Sequence, residues 1–169
     1  MSKPKILVVD DEVEILRVLE KTLEDDFDVV TSSRAREAME LIDDSVHIIL
    51  SDQRMPEMTG SEFFAEVRQK YPQIVRVIMS GYSDMNALIN SVNHGEIFRY
   101  LNKPWEFQDL MHTLKLAVEK YQENIAHREL MEENKHLIER NRDVANRLAQ
   151  TMEELKRLQT ELAKLNKKS

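Results

Sequence analysis

Asp10 and Asp11 follow the apolar run Ile6 to Val9, Asp52 follows Ile48 to Leu50, Ser80 follows Val75 to Met79, and Lys103 follows shortly after Ile97 to Leu101. Polar groups just past the ends of four separate hydrophobic runs belong together if those runs are parallel strands, because such a sheet collects its functional groups outside the carboxyl ends of its strands. Three carboxylates, a hydroxyl and an ammonium then share one crevice. Carboxylates at close range must hold a proton or recruit a cation. With oxygen donors, no cysteine in the chain and no histidine near these strand ends, Mg²⁺ is the expected ion, and it characteristically binds phosphate oxygens as well. An aspartate beside Mg²⁺ is equipped to attack phosphorus and form an acyl phosphate, with Lys103 and Ser80 stabilising the other phosphoryl oxygens. Taken singly, each residue has a plainer reading: an N-cap for Asp10 or Asp11, a helix cap for Ser80, a solvated charge for Lys103. The four positions together carry the signal.

The elements that must position these groups alternate. Strand-like runs at Ile6 to Val9, Val29 to Thr31, Val46 to Leu50, Ile74 to Met79 and Ile97 to Leu101 are separated by stretches with helical spacing. Val13, Leu16, Leu19 and Leu23 define the apolar face expected of the first helix. Phe63, Phe64, Val67 and Tyr71 define another, behind a Thr59-x-x-Glu62 capping box. Apolar residues on both faces of the central runs indicate parallel strands covered by helices, so the expected fold is α/β, a five-stranded parallel doubly wound sheet.

Composition divides the chain. All 3 glycines and all 4 prolines lie at or before Pro104. From Trp105 to Ser169 there are 12 Lys/Arg and 12 Asp/Glu, so the net charge of −7 resides in residues 1–104. An acidic domain with a neutral tail lacks the basic stripe that nucleic-acid binding requires. No apolar stretch approaches the roughly 20 residues needed to span a bilayer, and the N-terminus has no signal-peptide core. The expectation is a cytoplasmic protein without a membrane segment, divided into a domain at 1–122 and a helical segment at 123–169 continuous with the helix that begins near residue 105.

That segment has a heptad pattern from Asn134. Positions a are Asn134, Asn141, Leu148, Leu155 and Leu162; positions d are Leu137, Val144, Thr151, Leu158 and Leu165. The seam predicts a homodimeric coiled coil, and asparagines at successive a positions favour a parallel pair. Ile138, Ala145 and Met152 at position e widen the apolar stripe, leaving a four-helix assembly as an alternative. Upstream, Leu114, Val118, Tyr121 and Ile125 form a stripe out of phase with Leu137, which places a slip between Ala126 and Glu133.

The motifs Val8-Val9-Asp10-Asp11-Glu12, Ser51-Asp52-Gln53-Arg54-Met55-Pro56, Met79-Ser80-Gly81 and Tyr100-Leu101-Asn102-Lys103-Pro104 resemble those of the receiver domain of two-component response regulators, over residues 4 to about 122. The resemblance implies a flavodoxin-like fold and phosphorylation of Asp52 by a histidine kinase. It further implies Mg²⁺ organised by Asp10, Asp11, Asp52 and the Arg54 carbonyl, phosphoryl contact by Lys103, a Ser80/Tyr100 switch pair, and a cis Lys103–Pro104 bond. A dianion on Asp52 would draw the Ser80 hydroxyl inward and vacate space that the Tyr100 ring can fill. Arg54 and Tyr82, two residues beyond Asp52 and Ser80, are bulky where the family varies, and a shielded, longer-lived phosphoryl group is expected. The segment His127-Arg128-Glu129-Leu130 resembles a kinase phosphoacceptor box but lacks the proline and polar residue that should follow. On this reading the chain is a relay and not an enzyme, beyond self-phosphorylation and slow autodephosphorylation, and its output domain lies outside the sequence. Two alternatives stand beside it. One is a phosphohydrolase of the haloacid dehalogenase type, which needs an acid/base aspartate where Arg54 stands; the other is a structural dimeriser that is never phosphorylated.

Overall fold

A computed structural model describes residues 3–81 and 97–167. The elements run β1 (Lys5–Val9), α1 (Val13–Leu23), β2 (Asp28–Ser32), α2 (Ala35–Glu40), β3 (Val46–Asp52), α3 (Gly60–Lys70), β4 (Val75–Ser80), β5 (Arg99–Asn102) and a long helix (Phe107–Asn166). Residues up to Ala126 form one compact unit and those from His127 onward a second. The segment 82–96, which includes Tyr82 and the expected helix after Ser80, lies outside the described residues.

All five strands are parallel and lie in the order β2-β1-β3-β4-β5. The five strands and the doubly wound order agree with the alternation in the sequence. Strand limits agree at the end of β1 and the start of β3 and differ by one or two residues elsewhere; Ile74, Ile97 and Phe98 precede the ladders they were expected to join. Because successive side chains on a strand point to opposite faces, the central strands β1, β3 and β4 feed two cores. Ile6, Val8, Ile48, Leu50, Val77 and Met79 meet Leu16, Leu19 and Leu23 of α1 and Leu110, Leu114 and Ala117 of the long helix. Leu7, Val9, Ile49 and Ile78 meet Ala35 and Ala38 of α2 and Phe63, Phe64 and Val67 of α3. Val13, the first residue of α1, does not join its expected stripe: it is 50% exposed, while Leu16, Leu19 and Leu23 are buried.

The order reverses after β2, where the chain crosses β1 to enter β3. Neighbouring strands whose connections leave in opposite directions open a crevice at their carboxyl ends. Here those strands are β1 and β3, which end at Val9 and Asp52.

Two devices fix the loop between β3 and α3. Thr59 caps α3 with the expected capping box: Glu62 N–H donates to Thr59 Oγ1 at 3.2 Å, and Thr59 N–H donates to Glu62 Oε2 at 2.8 Å. Gln53, buried, accepts from Ser61 N–H at 3.1 Å and from its hydroxyl at 2.9 Å, tying the end of β3 to the start of α3. The Lys103–Pro104 peptide is cis, as the resemblance implied.

The long helix is continuous from Phe107 to Asn166, so the phase slip between Ala126 and Glu133 is absorbed without a break in helical structure. No described helix is long and apolar enough to cross a membrane. Within a single chain, Leu137, Val144, Leu148, Leu155, Leu158, Leu162 and Leu165 are all exposed.

Candidate functional site

Asp10 follows β1 and Asp52 ends β3, so the pairing of Val9 with Ser51 brings their carboxylates into the same crevice. The two are built alike. Asp10 Oδ1 accepts from the N–H of Glu12 at 2.9 Å, and Asp52 Oδ2 accepts from the N–H of Arg54 at 2.7 Å. Each aspartate thus closes a turn onto its own backbone two residues ahead. The remaining oxygen of each points to Lys103, whose Nζ lies 2.8 Å from Asp10 Oδ2 and 2.6 Å from Asp52 Oδ1. One ammonium bridges two carboxylates that come from different strands.

Burial makes this bridge consequential. The Asp10 side chain is fully buried, and those of Asp52 and Lys103 are 9% and 21% exposed. Burial pushes the Asp10 carboxyl above the usual carboxylate range, against the hydrogen bonds from Lys103 and Glu12 that favour its charge. Burial alone would lower Lys103, but its hydrogen bonds to Asp10 and Asp52 outweigh that and hold it above the ordinary lysine value. The ammonium therefore favours its charged form and offsets part of the repulsion between the two carboxylates.

Asp11 stands apart. It is exposed, and no three acidic or histidine side chains gather into a cluster among the described residues. The expected trio of carboxylates is a close pair with a third on the rim. The difference comes from the chain reversal after β1, which turns consecutive residues to opposite sides.

Ser80 ends β4 with its hydroxyl buried and, among the described residues, without a hydrogen-bond partner. Its backbone is fixed, since Lys103 N–H donates to Ser80 C=O at 2.8 Å. A buried hydroxyl left unpaired costs about 1–3 kcal/mol, so it reads as a donor placed for a group that arrives later. Tyr100, on β5, is 42% exposed, an outward ring beside the strand. Arg54 is exposed on the loop after Asp52. Asn102 Oδ1 is likewise buried without a partner among the described residues.

Two contributors had not been singled out. A Cβ added to Gly60 would lie 2.4 Å from the Asp52 carbonyl oxygen and 2.6 Å from Ile78 Cδ1, so only glycine lets α3 start against the end of β3. Gln53 supplies the tie described above. The glycine directly after the capping threonine was visible in the sequence, but the atoms it must admit come from another strand.

The model of the response regulator receiver domain family matches residues 6–115. The chain belongs to that family. A hydrogenase transcriptional regulatory protein, HoxA of Cupriavidus necator, is 46% identical over 115 residues, 68% of this chain and 24% of its own length. The DNA-binding transcriptional regulator NtrC of Escherichia coli is 31% identical over 125 residues, 73% of this chain and 26% of its own. The chain therefore spans about a quarter of the length of these curated relatives. Among solved structures, one titled adenylate cyclase from Rhodopirellula baltica superposes with a TM-score of 0.73 at 32% identity, covering 77% of this chain and 98% of that one. A receiver domain protein from Clostridium thermocellum gives 0.67 at 29%, covering 72% and 98%. Receivers of this family act in two-component signalling by aspartate phosphorylation and generally bind Mg²⁺ for it.

Proposed function

We propose that Asp52 is the phosphoacceptor and that a histidine kinase is the donor. The observation that carries this reading is the Lys103 ammonium held between Asp52 and Asp10 with the unpartnered Ser80 hydroxyl at the neighbouring strand end. An Asp52 oxygen attacks the phosphorus of a phosphohistidine; the P–O bond forms as the P–N bond breaks, and the imidazole nitrogen leaves with the electron pair and takes up a proton. Lys103 donates to the phosphoryl oxygens and offsets their charge, and Ser80 donates through the hydroxyl that is unpaired beforehand.

Asp10, Asp11 and Asp52, with the Arg54 carbonyl, are the residues that would hold Mg²⁺. The donor set is entirely hard oxygen, and a buried pair with a third carboxylate on the exposed rim suits an ion that retains several waters. When bound, the ion neutralises developing charge on the phosphoryl oxygens. Arg54, exposed on the loop after Asp52, shields the acyl phosphate from water, so the modified form is long-lived. Once modified, Asp52 draws Ser80 inward and the outward Tyr100 ring follows. The receiver spans residues 1–122, and the helix from 123 pairs with a second copy along Asn134, Leu137, Asn141, Val144, Leu148, Leu155, Leu158 and Leu162. The chain works in the cytoplasm, binds no nucleic acid itself, and catalyses nothing beyond its own phosphorylation and slow dephosphorylation. Its state is read by an output domain outside this sequence.

The test is incubation with acetyl phosphate and Mg²⁺. The chain should gain the mass of one phosphoryl group, the Asp52→Asn variant none, and chelation of the metal should abolish the gain. An unmodified wild-type chain, or a modified Asp52→Asn variant, overturns the assignment.

A further inference from the structure

The paired tail is unusual in where its polar residues stand. On a helix wound at 3.5 residues per turn, columns d and e lie on either side of column a, each about 50° away. Nearest the receiver the central column is polar, Asn134 and Asn141, and both flanks are apolar. One flank carries Leu130, Leu137 and Val144; the other carries Met131, Ile138 and Met152. All six are exposed within one chain. Each flank also has one weaker position, Thr151 on the first and Ala145 on the second, so the two are closely matched.

Further along the balance ends. The central column becomes leucine at Leu148, Leu155 and Leu162, and only the d flank stays apolar, with Leu158 and Leu165 set against Gln159 and Asn166 on the e side. That half has one way to face a partner. An asparagine column is a poor centre for an interface, since its amides lose water without gaining equal partners. The half near the receiver is better paired when turned toward one flank or the other. Because the long helix is unbroken, with its first turns held in the receiver core by Leu110, Met111 and Leu114, rotation there is carried toward Leu130.

We propose that the tail, in its dimer, has two alternative facings between Leu130 and Met152, related by turning each helix about 50°, pinned by the leucines from Leu155 onward and selected by the state of the receiver. This rests on the dimeric reading above, with a parallel, in-register pair that sets Asn134, Asn141 and Thr151 against their own copies. Two arrangements of similar packing form the kind of bistable element through which a small shift becomes a signal.

The chain has no cysteine, so single variants Leu137→Cys, Ile138→Cys, Leu158→Cys and Gln159→Cys, made in the whole chain and checked for unchanged helicity, report the facing by their rates of interchain disulfide formation. Leu158→Cys should link rapidly in every condition and Gln159→Cys on the order of tenfold slower, marking the pinned half. Leu137→Cys and Ile138→Cys should both link, at rates within about threefold of each other, with their ratio moved about threefold or more by beryllofluoride and Mg²⁺. Ile138→Cys linking as slowly as Gln159→Cys in both conditions shows a single facing and overturns the proposal. A ratio that beryllofluoride leaves unchanged refutes selection by the receiver. If Leu158→Cys does not link and the chain sediments as a monomer, the dimeric reading has failed, and the proposal with it.

Discussion

Removal of Lys103 takes from the site the one cation that Asp10 and Asp52 share among the described residues. In Lys103→Met the stem is replaced by a group of similar length, but two carboxylates, one fully buried and one 9% exposed, lose their shared cation. Breaking a buried pair by removing one partner costs about 3–5 kcal/mol; with Lys103 itself 21% exposed, solvent reduces that to about 2–3 kcal/mol here. With a urea dependence of about 2 kcal/mol/M, the midpoint should fall by about 1–1.5 M. The single tryptophan, Trp105, lies two residues from the site and gives a fluorescence signal for the receiver apart from the tail. Burial holds the folded-state pKa of Asp10 above the unfolded one, so ionised Asp10 opposes folding at neutral pH and protonation relieves it as pH falls through the raised value. Without Lys103 that opposition grows. The deficit of Lys103→Met should therefore shrink on acidification from neutral toward the ordinary carboxylate range, and adding Asp10→Asn should recover most of the loss. Mg²⁺ should stabilise the variant more than the wild type. A loss under 0.5 kcal/mol, or one that neither acid nor Asp10→Asn relieves, would refute the view that the ammonium balances two buried charges.

Three further outcomes follow from other parts of the structure. Ser80→Ala removes a buried, unpaired hydroxyl, so it should leave stability unchanged or slightly higher while acetyl phosphate still modifies Asp52; phosphorylation-dependent change in Tyr100 fluorescence or disulfide ratio should vanish, and its persistence would sink the switch assignment. Gly60→Ala forces a methyl against the Asp52 carbonyl and Ile78, and should cost about 1–3 kcal/mol in urea titrations and slow phosphorylation by moving the acceptor. Thr59→Ala should lose about 1 kcal/mol through the α3 cap. Its partner Glu62 is held below the ordinary carboxylate range by hydrogen bonds from Thr59, so the contribution of that carboxylate is present above the unfolded value and fades as pH falls through the lowered one. The variant's pH profile should be flatter than wild type across that interval.

The strands, their parallel order and the convergence of Asp10, Asp52, Ser80 and Lys103 were legible because each rests on local pattern: apolar runs of strand length, helical spacing between them, and polar residues at the same ends. The capping box at Thr59 and Glu62 was legible for the same reason, both partners being three residues apart. What the sequence hid depends on contacts between distant segments. Val13 continues a helical stripe on paper, yet as the first residue of α1 it is exposed. Asp11 is adjacent to Asp10 and chemically equivalent, but the turn after β1 buries one and exposes the other. Nothing local says that the lysine after β5 grasps both acidic strand ends, since 93 residues separate it from Asp10. Gly60 looks like a helix-start glycine until Asp52 and Ile78 are placed beside it.

The turns by which Asp10 and Asp52 each bind an amide of their own loop have a consequence for speed. Two of the four carboxylate oxygens are immobilised by backbone, so both side chains hold their orientation whatever occupies the crevice. Exchange of partners then involves only the two outward oxygens and one flexible lysine stem. A receiver arranged in this way has little to reorganise when a phosphodonor arrives, and its rate of modification should be governed by encounter and by the donor's own chemistry.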